Sequence, residues 1–217
     1  MHFDSISKIS QRLRDGTTTS RELTEQLLAR ITRFDDTLNA YATVTADAAL
    51  ESAGAADAEL SQGIDRGPLH GVPIAIKDLC ATAGIRTTAG SRLYENWVPE
   101  SDATVVRKLR DAGAVLLGKT GMHELAYGMD SDNAFFGAIR NPWDTSRTPG
   151  GSSGGSAAAV SAGLAYGAIG TDTGCSIRHP AHCCGIVGFK PTFGVVSKAD
   201  VVPLCWSMDH VGPMTRN

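Results

Sequence analysis

The protein has 217 residues, 42% of them hydrophobic and 20% charged. This balance is typical of a globular protein and excludes a disordered or fibrous chain. The formal net charge of -3, with no Lys/Arg-rich run, predicts no direct nucleic-acid binding. Apolar stretches end before the roughly 20 residues that a membrane-spanning helix needs, and the N-terminus lacks the apolar core of a signal peptide. We therefore expect no membrane association and a cytoplasmic location.

Cysteine usage agrees with that location. The five cysteines (Cys80, Cys175, Cys183, Cys184 and Cys205) are odd in number and irregularly spaced. Neither a disulfide framework nor a zinc-ligand pattern can be recognised in them. The sequence predicts reduced thiols and no bound metal.

The first third of the chain has a helical pattern. Apolar residues recur at helical spacing in two stretches, and a third stretch is rich in alanine. Thr19 followed by Glu22 forms a possible capping box, which would open the second helix. The predictions depend on Ile6, Ile9, Leu13, Leu23, Leu27, Ile31 and residues 46–61.

From Gly71 onward the pattern changes to alternating strands and helices. The run VPIAIKDL, rich in β-branched residues, predicts a buried strand with Lys77 near its end. A predicted helix over Asp102–Ala112 is followed by a second apolar strand, AVLLG, and later by LAYGAIGTDTG and GIVGFKPT. This alternation favours an α/β fold. We expect one domain over residues 1–217, with a helical N-terminal part (1–65) and a catalytic core (66–217).

Three segments in the core could carry chemistry. Lys77 ends an apolar strand, so it must pair, reach solvent or lose its proton. The run Gly150–Ser156 can present backbone N–H groups and hydroxyls to a phosphate, a carboxylate or an oxyanion. The third segment, Gly170–Arg178, is another glycine turn after a strand. Each signal is weak alone.

A serine-hydrolase elbow is an alternative interpretation of the glycine-rich run. Gly151 to Gly155 fits the G-x-S-x-G pattern, in which Ser153 would be the nucleophile. That mechanism requires an acidic residue and then a histidine later in the chain, and the sequence offers His179, His182 and His210.

The segments together resemble the amidase signature family. GVPIAIKDL, GGSSGGSAAAV and GTDTGCSIRHPAHCCGIVGFKPT occur in that family's order and spacing, supported by GKTGMHELAYG, NPWD and DHVGPMTRN. The resemblance implies a mixed open sheet flanked by helices, of which this chain corresponds to the N-terminal half. It implies an amidohydrolase that forms an acyl-enzyme and needs no cofactor.

The resemblance also assigns roles to residues. Lys77, Ser152 and Ser176 would form a Ser–cisSer–Lys triad, with Ser176 as nucleophile and Ser153 as a hydrogen-bond partner of Lys77. This assignment displaces Ser153 as nucleophile. Other implied roles are an oxyanion hole from the backbone of Thr173, Gly174, Cys175 and Ser176, a supporting ion pair between Asp172 and Arg178, and substrate contacts from Met122, Gly128 and Asp130.

Two features depart from the family pattern. Cys175 stands where the family usually has glycine, which would strain the turn if that position requires a glycine conformation; Cys175 is also an alternative nucleophile. The chain is about half as long as the family's domain. We therefore expect a homo-oligomer, or a partner subunit, to cover apolar surface.

Two other functions remain open. The first is the glutaminase-like A subunit of a tRNA-dependent amidotransferase, suggested by GGSSGGSAAAV. The second is an inactive fragment that serves as an interaction module.

Overall fold

A computed structural model describes residues 1–217. Three helices form the N-terminal part: α1 (Ile6–Arg14), α2 (Ser20–Leu38) and α3 (Ala46–Ser61). The predicted capping box is confirmed, since the Thr19 side chain accepts from the Glu22 N–H and the Glu22 carboxylate accepts from the Thr19 N–H. The predicted apolar face of α2 is buried. The local sequence signals therefore predict helix α2 correctly.

The core of the chain contains one large sheet and one short hairpin. The strands are β1 (Tyr41–Val44), β2 (Pro73–Lys77), β3 (Val115–Thr120), β4 (Asp132–Asn133), β5 (Gly137–Ala138), β6 (Gly167–Asp172), β7 (Val187–Gly188) and β8 (His210–Thr215). The six-stranded sheet has the order β1-β3-β2-β6-β8-β7, and β4 pairs with β5. Strands β3, β2 and β6 run parallel, whereas β1, β8 and β7 pair antiparallel with their neighbours. The predicted mixed α/β fold is confirmed.

Three further helices lie in the core: α4 (Thr104–Asp111), α5 (Gly154–Ser161) and α6 (Arg178–Cys184). Residues 154–160 of α5 are all buried, although they are small. Their size permits a close approach, because a Cβ on Gly155 would lie 2.4 Å from the carbonyl oxygens of Ala40 and Gly121. Helix α5 therefore packs backbone to backbone against its surroundings.

The main hydrophobic cluster contains 33 buried residues and joins α1–α3 to the sheet. Predicted strands VPIAIKDL and AVLLG are β2 and β3, whereas GIVGFKPT supplies just the two residues of β7. None of the helices combines the length and the apolar character that crossing a bilayer requires.

The sheet brings two strand ends together. Strands β2 and β6 are parallel neighbours, with Ile76 opposite Ile169. Lys77 ends β2 and Asp172 ends β6, so both lie at the carboxyl edge of the sheet. Binding sites of open α/β sheets form at this edge.

Candidate active site

Lys77 lies at the centre of a buried group of hydroxyls. Its side chain is fully buried, and its Nζ lies 2.7 Å from Ser152 Oγ, 2.9 Å from Ser153 Oγ and 2.7 Å from Thr171 Oγ1. Burial lowers the pKa of Lys77 from 10.5 to about 7, although nearby acidic groups oppose that change. A substantial fraction of Lys77 is therefore neutral near pH 7.

The hydrogen-bond pattern limits how a neutral Lys77 is satisfied. A neutral amine offers two N–H donors and one lone pair, so one of the three hydroxyls must donate to Nζ. The Ser153 hydroxyl already donates to the Thr171 carbonyl at 3.1 Å. The donor to Nζ is therefore Ser152 or Thr171.

The loop that carries Ser152 is fixed from outside. The Ser131 hydroxyl donates to the Gly150 carbonyl at 2.8 Å and accepts from the Gly154 N–H at 3.2 Å. The peptide bond between Gly151 and Ser152 is cis. Gly150 has a positive φ of 79°, and a Cβ there would lie 2.8 Å from Pro180 Cα. Glycine is required at this position, because another side chain would strain the loop and clash with α6.

Ser176 lies in the turn between β6 and α6. Its carbonyl accepts from the Ser153 N–H at 3.2 Å, which joins the turn to the loop of Ser152. Ser176 is 7% exposed. Its hydroxyl forms no hydrogen bond with Lys77, Ser152, Ser153 or Thr171. This hydroxyl is therefore uncommitted within the chain.

The backbone of the turn provides unused donors. The four consecutive N–H groups from Thr173 to Ser176 donate to no backbone carbonyl. The next two N–H groups, of Ile177 and Arg178, are by contrast both bound to Asp172 Oδ2. Cys175 does not have a positive φ, so the backbone of the turn does not require glycine at this position. Free N–H groups clustered beside a serine can stabilise an oxyanion.

An ion pair supports this turn. Asp172 is fully buried, and its two oxygens accept from Arg178 Nε and Nη2, each at 3.0 Å. Burial opposes ionisation of Asp172, but these bonds and the two backbone N–H groups hold its pKa below the usual value. Arg178 Nη2 also donates to the Gly174 carbonyl at 2.6 Å. The pair therefore fixes both ends of the turn.

The predicted substrate segment lies beside the Ser152 loop. The His123 N–H donates to the Ser152 carbonyl at 3.2 Å, and His123 Nδ1 lies 3.0 Å from Asp130 Oδ1. Met122 is 2% exposed and packs in a small apolar cluster. A Cβ on Gly128 would lie 2.2 Å from the His123 ring. In this structure the segment therefore supports the loop through His123, and substrate contact with Met122, Gly128 and Asp130 stays a prediction.

A cavity of about 270 Å³ adjoins the site. Thr171, which contacts Lys77, and Thr173, in the turn, both line it. Thr173 Oγ1 donates to Asp209 Oδ1 at 2.6 Å, and Asp209 also lines the cavity. A small molecule could therefore bind in this cavity, next to the cluster of hydroxyls around Lys77.

Comparison with known families gives a match over most of the chain. The family model described as Amidase matches residues 22–217. The chain belongs to the amidase family.

Individual members agree with that assignment. The amidase-family chain is 50% identical over 216 residues to the A subunit of glutamyl-tRNA(Gln) amidotransferase from Coxiella burnetii, covering 100% of this chain and 44% of that protein. The structure of native peptide amidase from Stenotrophomonas maltophilia has a TM-score of 0.94 and 43% identity, covering 98% of this chain and 45% of that one. The A subunit of the Thermotoga maritima glutamyl-tRNA(Gln) amidotransferase has a TM-score of 0.78 and 41% identity, covering 90% and 40%. This chain spans about half the length of the curated relatives it matches.

The structure adds two residues to the group that the family motifs suggested. Thr171 bonds to Lys77 as closely as Ser152 does, and Asp209 holds Thr173. Both occur within quoted segments, GTDTGCS and DHVGPMTRN. Neither has a sequence signal of its own. Thr171 reaches Lys77 because β6 pairs with β2, and Asp209 reaches Thr173 because β8, which it precedes, pairs with β6.

Proposed function

We propose that this amidase-family chain cleaves a carboxylic amide, with Ser176 as nucleophile and Ser152 and Lys77 as its proton relay. The observation that carries the proposal is the burial of Lys77 among hydroxyls, with a pKa lowered to about 7 by that burial. A serine needs a base to become a nucleophile, and a neutral lysine can act as one.

The relay moves one proton in each half-reaction. As Ser176 Oγ attacks the amide carbonyl, its proton passes to Ser152 Oγ and the Ser152 proton passes to Lys77 Nζ. When the C–N bond breaks, the same proton returns through Ser152 to the departing nitrogen, which leaves as ammonia or an amine. Water then attacks the acyl-enzyme while its proton passes through Ser152 to Lys77. The proton returns through Ser152 to Ser176 Oγ as the acid is released.

The roles of the neighbouring groups follow from their contacts. Free N–H groups of Thr173, Gly174, Cys175 and Ser176 would hold the oxyanion, and loss of one such donor costs about 3 kcal/mol. The hydrogen bond from Ser176 to Ser152 would form when a substrate is bound, since such bonds tighten in the complex. Ser153 would orient Lys77, because its own proton is committed to Thr171.

A fluorophosphonate probe tests the nucleophile directly. Intact-mass analysis should give one adduct on the wild-type protein, none on Ser176→Ala and slow labelling of Lys77→Met. Ser52→Ala is the matched control, because Ser52 is exposed on α3. Labelling that persists in Ser176→Ala but disappears in Cys175→Ala would assign the nucleophile to Cys175 instead. Folded wild-type protein without any adduct would favour the inactive interaction module.

The amidotransferase subunit is a second candidate, because relatives of that name are 50% identical to this chain. It predicts glutaminase activity that depends on partner subunits. Measuring ammonia release from glutamine with and without those subunits distinguishes it from an independent amidase. Activity that is unchanged by the subunits would exclude the dependence.

We also propose that the chain forms one domain whose apolar face is covered by a second copy or a partner subunit. One domain is supported by β1, which comes from the N-terminal part and pairs with β3. The exposed apolar side chains that such a partner could cover follow β7 along the chain and are those of Phe189, Phe193, Val195, Trp206 and Met208. Strand β7 is itself an edge of the sheet. Sedimentation velocity should give a species larger than the monomer. A monomer that binds no hydrophobic dye would contradict the covered face.

A further inference from the structure

One wall of the cavity beside Thr171 and Thr173 contains an ammonium group without a hydrogen-bond partner. Lys198 lines this cavity together with mainly apolar residues, among them Leu79, Val201 and Trp206. Its Nζ is buried and has no hydrogen-bond partner. The ring of Phe193, 4.5 Å from Nζ, provides a cation–π contact. None of the three N–H donors of this ammonium group therefore has an acceptor within hydrogen-bond distance.

The loop that carries Lys198 is fixed to the segment after β2. Val202 N–H donates to the Leu79 carbonyl at 3.0 Å, and Ala81 N–H donates to the Asp200 carbonyl at 3.1 Å. Cys80 and Val201 form an isolated antiparallel bridge. Lys198 is therefore presented to the cavity by an anchored backbone.

The other ionisable groups at the cavity make no hydrogen bond to Lys198. Asp209 accepts from Thr173 Oγ1 at 2.6 Å and from the N–H groups of Leu204 and Cys205 at 3.0 Å, so its oxygens are occupied. His210 Nδ1 lies 2.6 Å from the Met208 carbonyl, and its Nε2 lies 3.3 Å from Lys190 Nζ. A second lysine thus adds positive charge on this side.

We propose that Lys198 binds a carboxylate of the amide substrate in this cavity. The inference deepens the proposed function and depends on it for the site of cleavage. A buried unpaired ammonium is costly, whereas a carboxylate would accept its hydrogen bonds and benefit from the apolar surroundings. Because Thr171 and Thr173 line the same cavity, a ligand held by Lys198 lies beside the proposed oxyanion turn. The substrate class is therefore an amide that carries a carboxylate group.

Binding to the Ser176→Ala variant tests this without turnover. Calorimetry would compare the monoamides of short dicarboxylic acids with their uncharged methyl esters. The acid should bind about tenfold more tightly than the ester, as expected for a hydrogen bond to a charged group. Adding Lys198→Met should reduce the ratio of the ester Kd to the acid Kd to about one. Lys198→Arg should restore the preference for the acid.

Lys108→Met is the matched control, because Lys108 is exposed on α4. It removes the same charge and should leave the tenfold ratio unchanged. Circular dichroism checks that each variant is folded, and Lys198→Gln replaces Lys198→Met if that variant is not. Equal binding of acid and ester in the Ser176→Ala protein, or a ratio that survives loss of Lys198, overturns the proposal.

Failure of this inference is distinguishable from failure of the proposed function. Fluorophosphonate labelling of Ser176 without a preference for carboxylates would reject the role of Lys198 and retain the nucleophile. A carboxylate preference that depends on Lys198, without labelling of Ser176, would support the binding site and reject the chemistry.

Discussion

Thr171 Oγ1 and Ser152 Oγ each lie 2.7 Å from Lys77 Nζ, so the amine contacts a strand hydroxyl as closely as it contacts the loop hydroxyl. Thr171 lies on β6, beside the strand that Lys77 ends. The position of the amine therefore depends on the sheet as well as on the glycine-rich loop. This arrangement leads to predictions for both reactivity and stability.

The first prediction concerns the pH dependence of labelling. If neutral Lys77 is the base, the rate of fluorophosphonate labelling should rise with pH and reach half its maximum at about pH 7, the value to which burial lowers this pKa. Rates measured between about pH 5 and pH 9 test it. A rate that falls across this range, or one that follows the same profile in Lys77→Met, would contradict the role of Lys77.

The second prediction concerns Thr171→Val. The charged form of Lys77 loses more than the neutral form when an acceptor is removed, because charge-assisted hydrogen bonds are the stronger ones. The pKa of Lys77 should therefore fall further, and the midpoint of the labelling profile should move to lower pH. The measurement is the same labelling series on the variant.

Thr87→Val is the matched control for Thr171→Val. Thr87 Oγ1 accepts from the second buried lysine, Lys119, at 2.6 Å. Each variant should lose about 1–3 kcal/mol of stability, because each leaves a buried donor unsatisfied. The pH midpoint should move in Thr171→Val alone. Equal shifts in both variants would mean that the effect is general destabilisation.

Elements that are predictable from the sequence are specified by residues close to them in the chain, whereas the other elements depend on contacts with distant residues. Helix α2 begins at a capping box and repeats its apolar residues at helical spacing, so its signals lie within the helix and its N-cap residue Thr19. Strand β8 was not predicted, because His210–Thr215 includes Gly212 and Pro213 and has no alternating pattern. Its strand conformation depends on pairing with β6 and β7, which no local window contains.

The residues of the candidate site also fall into a group that sequence motifs predict and a group that depends on tertiary contacts. Lys77, Ser152 and Ser176 lie in motifs that resemble a family, so the sequence could suggest them together. Lys198 is a single residue in an irregular loop, and its burial depends on contacts between that loop and the segment after β2. Composition gives no sign of such a position. The position of Lys198 in the cavity therefore depends on the tertiary structure and has no local sequence signal.

The third prediction concerns stability and pH. The pKa of Lys77 is about 7 in the folded protein because of burial, below its ordinary value of 10.5. Between these values the unfolded chain binds a proton that the folded chain does not, so this residue makes stability increase with pH. Below about pH 7 both states are protonated, and the contribution is at its lowest.

Lys77→Met should remove this contribution. Urea unfolding at several values between about pH 7 and pH 9 gives the slope of stability for each protein. Other groups titrate in both proteins, so the difference between the two slopes isolates Lys77. A wild-type slope equal to that of Lys77→Met would refute the lowered pKa.

The fourth prediction concerns the packing of the glycine-rich loop. A Cβ on Gly155 would lie 2.4 Å from the carbonyl oxygens of Ala40 and Gly121. These are backbone atoms that cannot rotate away, so Gly155→Ala should lower stability by about 1–3 kcal/mol. It should also slow labelling of Ser176, because the displaced loop carries Ser152.

Gly54→Ala is the matched control, since a Cβ on Gly54 meets nothing within 4 Å. Gly54 lies inside α3, where alanine is favoured over glycine by about 1 kcal/mol, so this variant should become more stable. Urea unfolding and the labelling rate would be measured on both. If Gly155→Ala proved as stable and as reactive as Gly54→Ala, the loop of Ser152 could not be held by close backbone packing, and its position would depend on the hydrogen bonds of Ser131 instead.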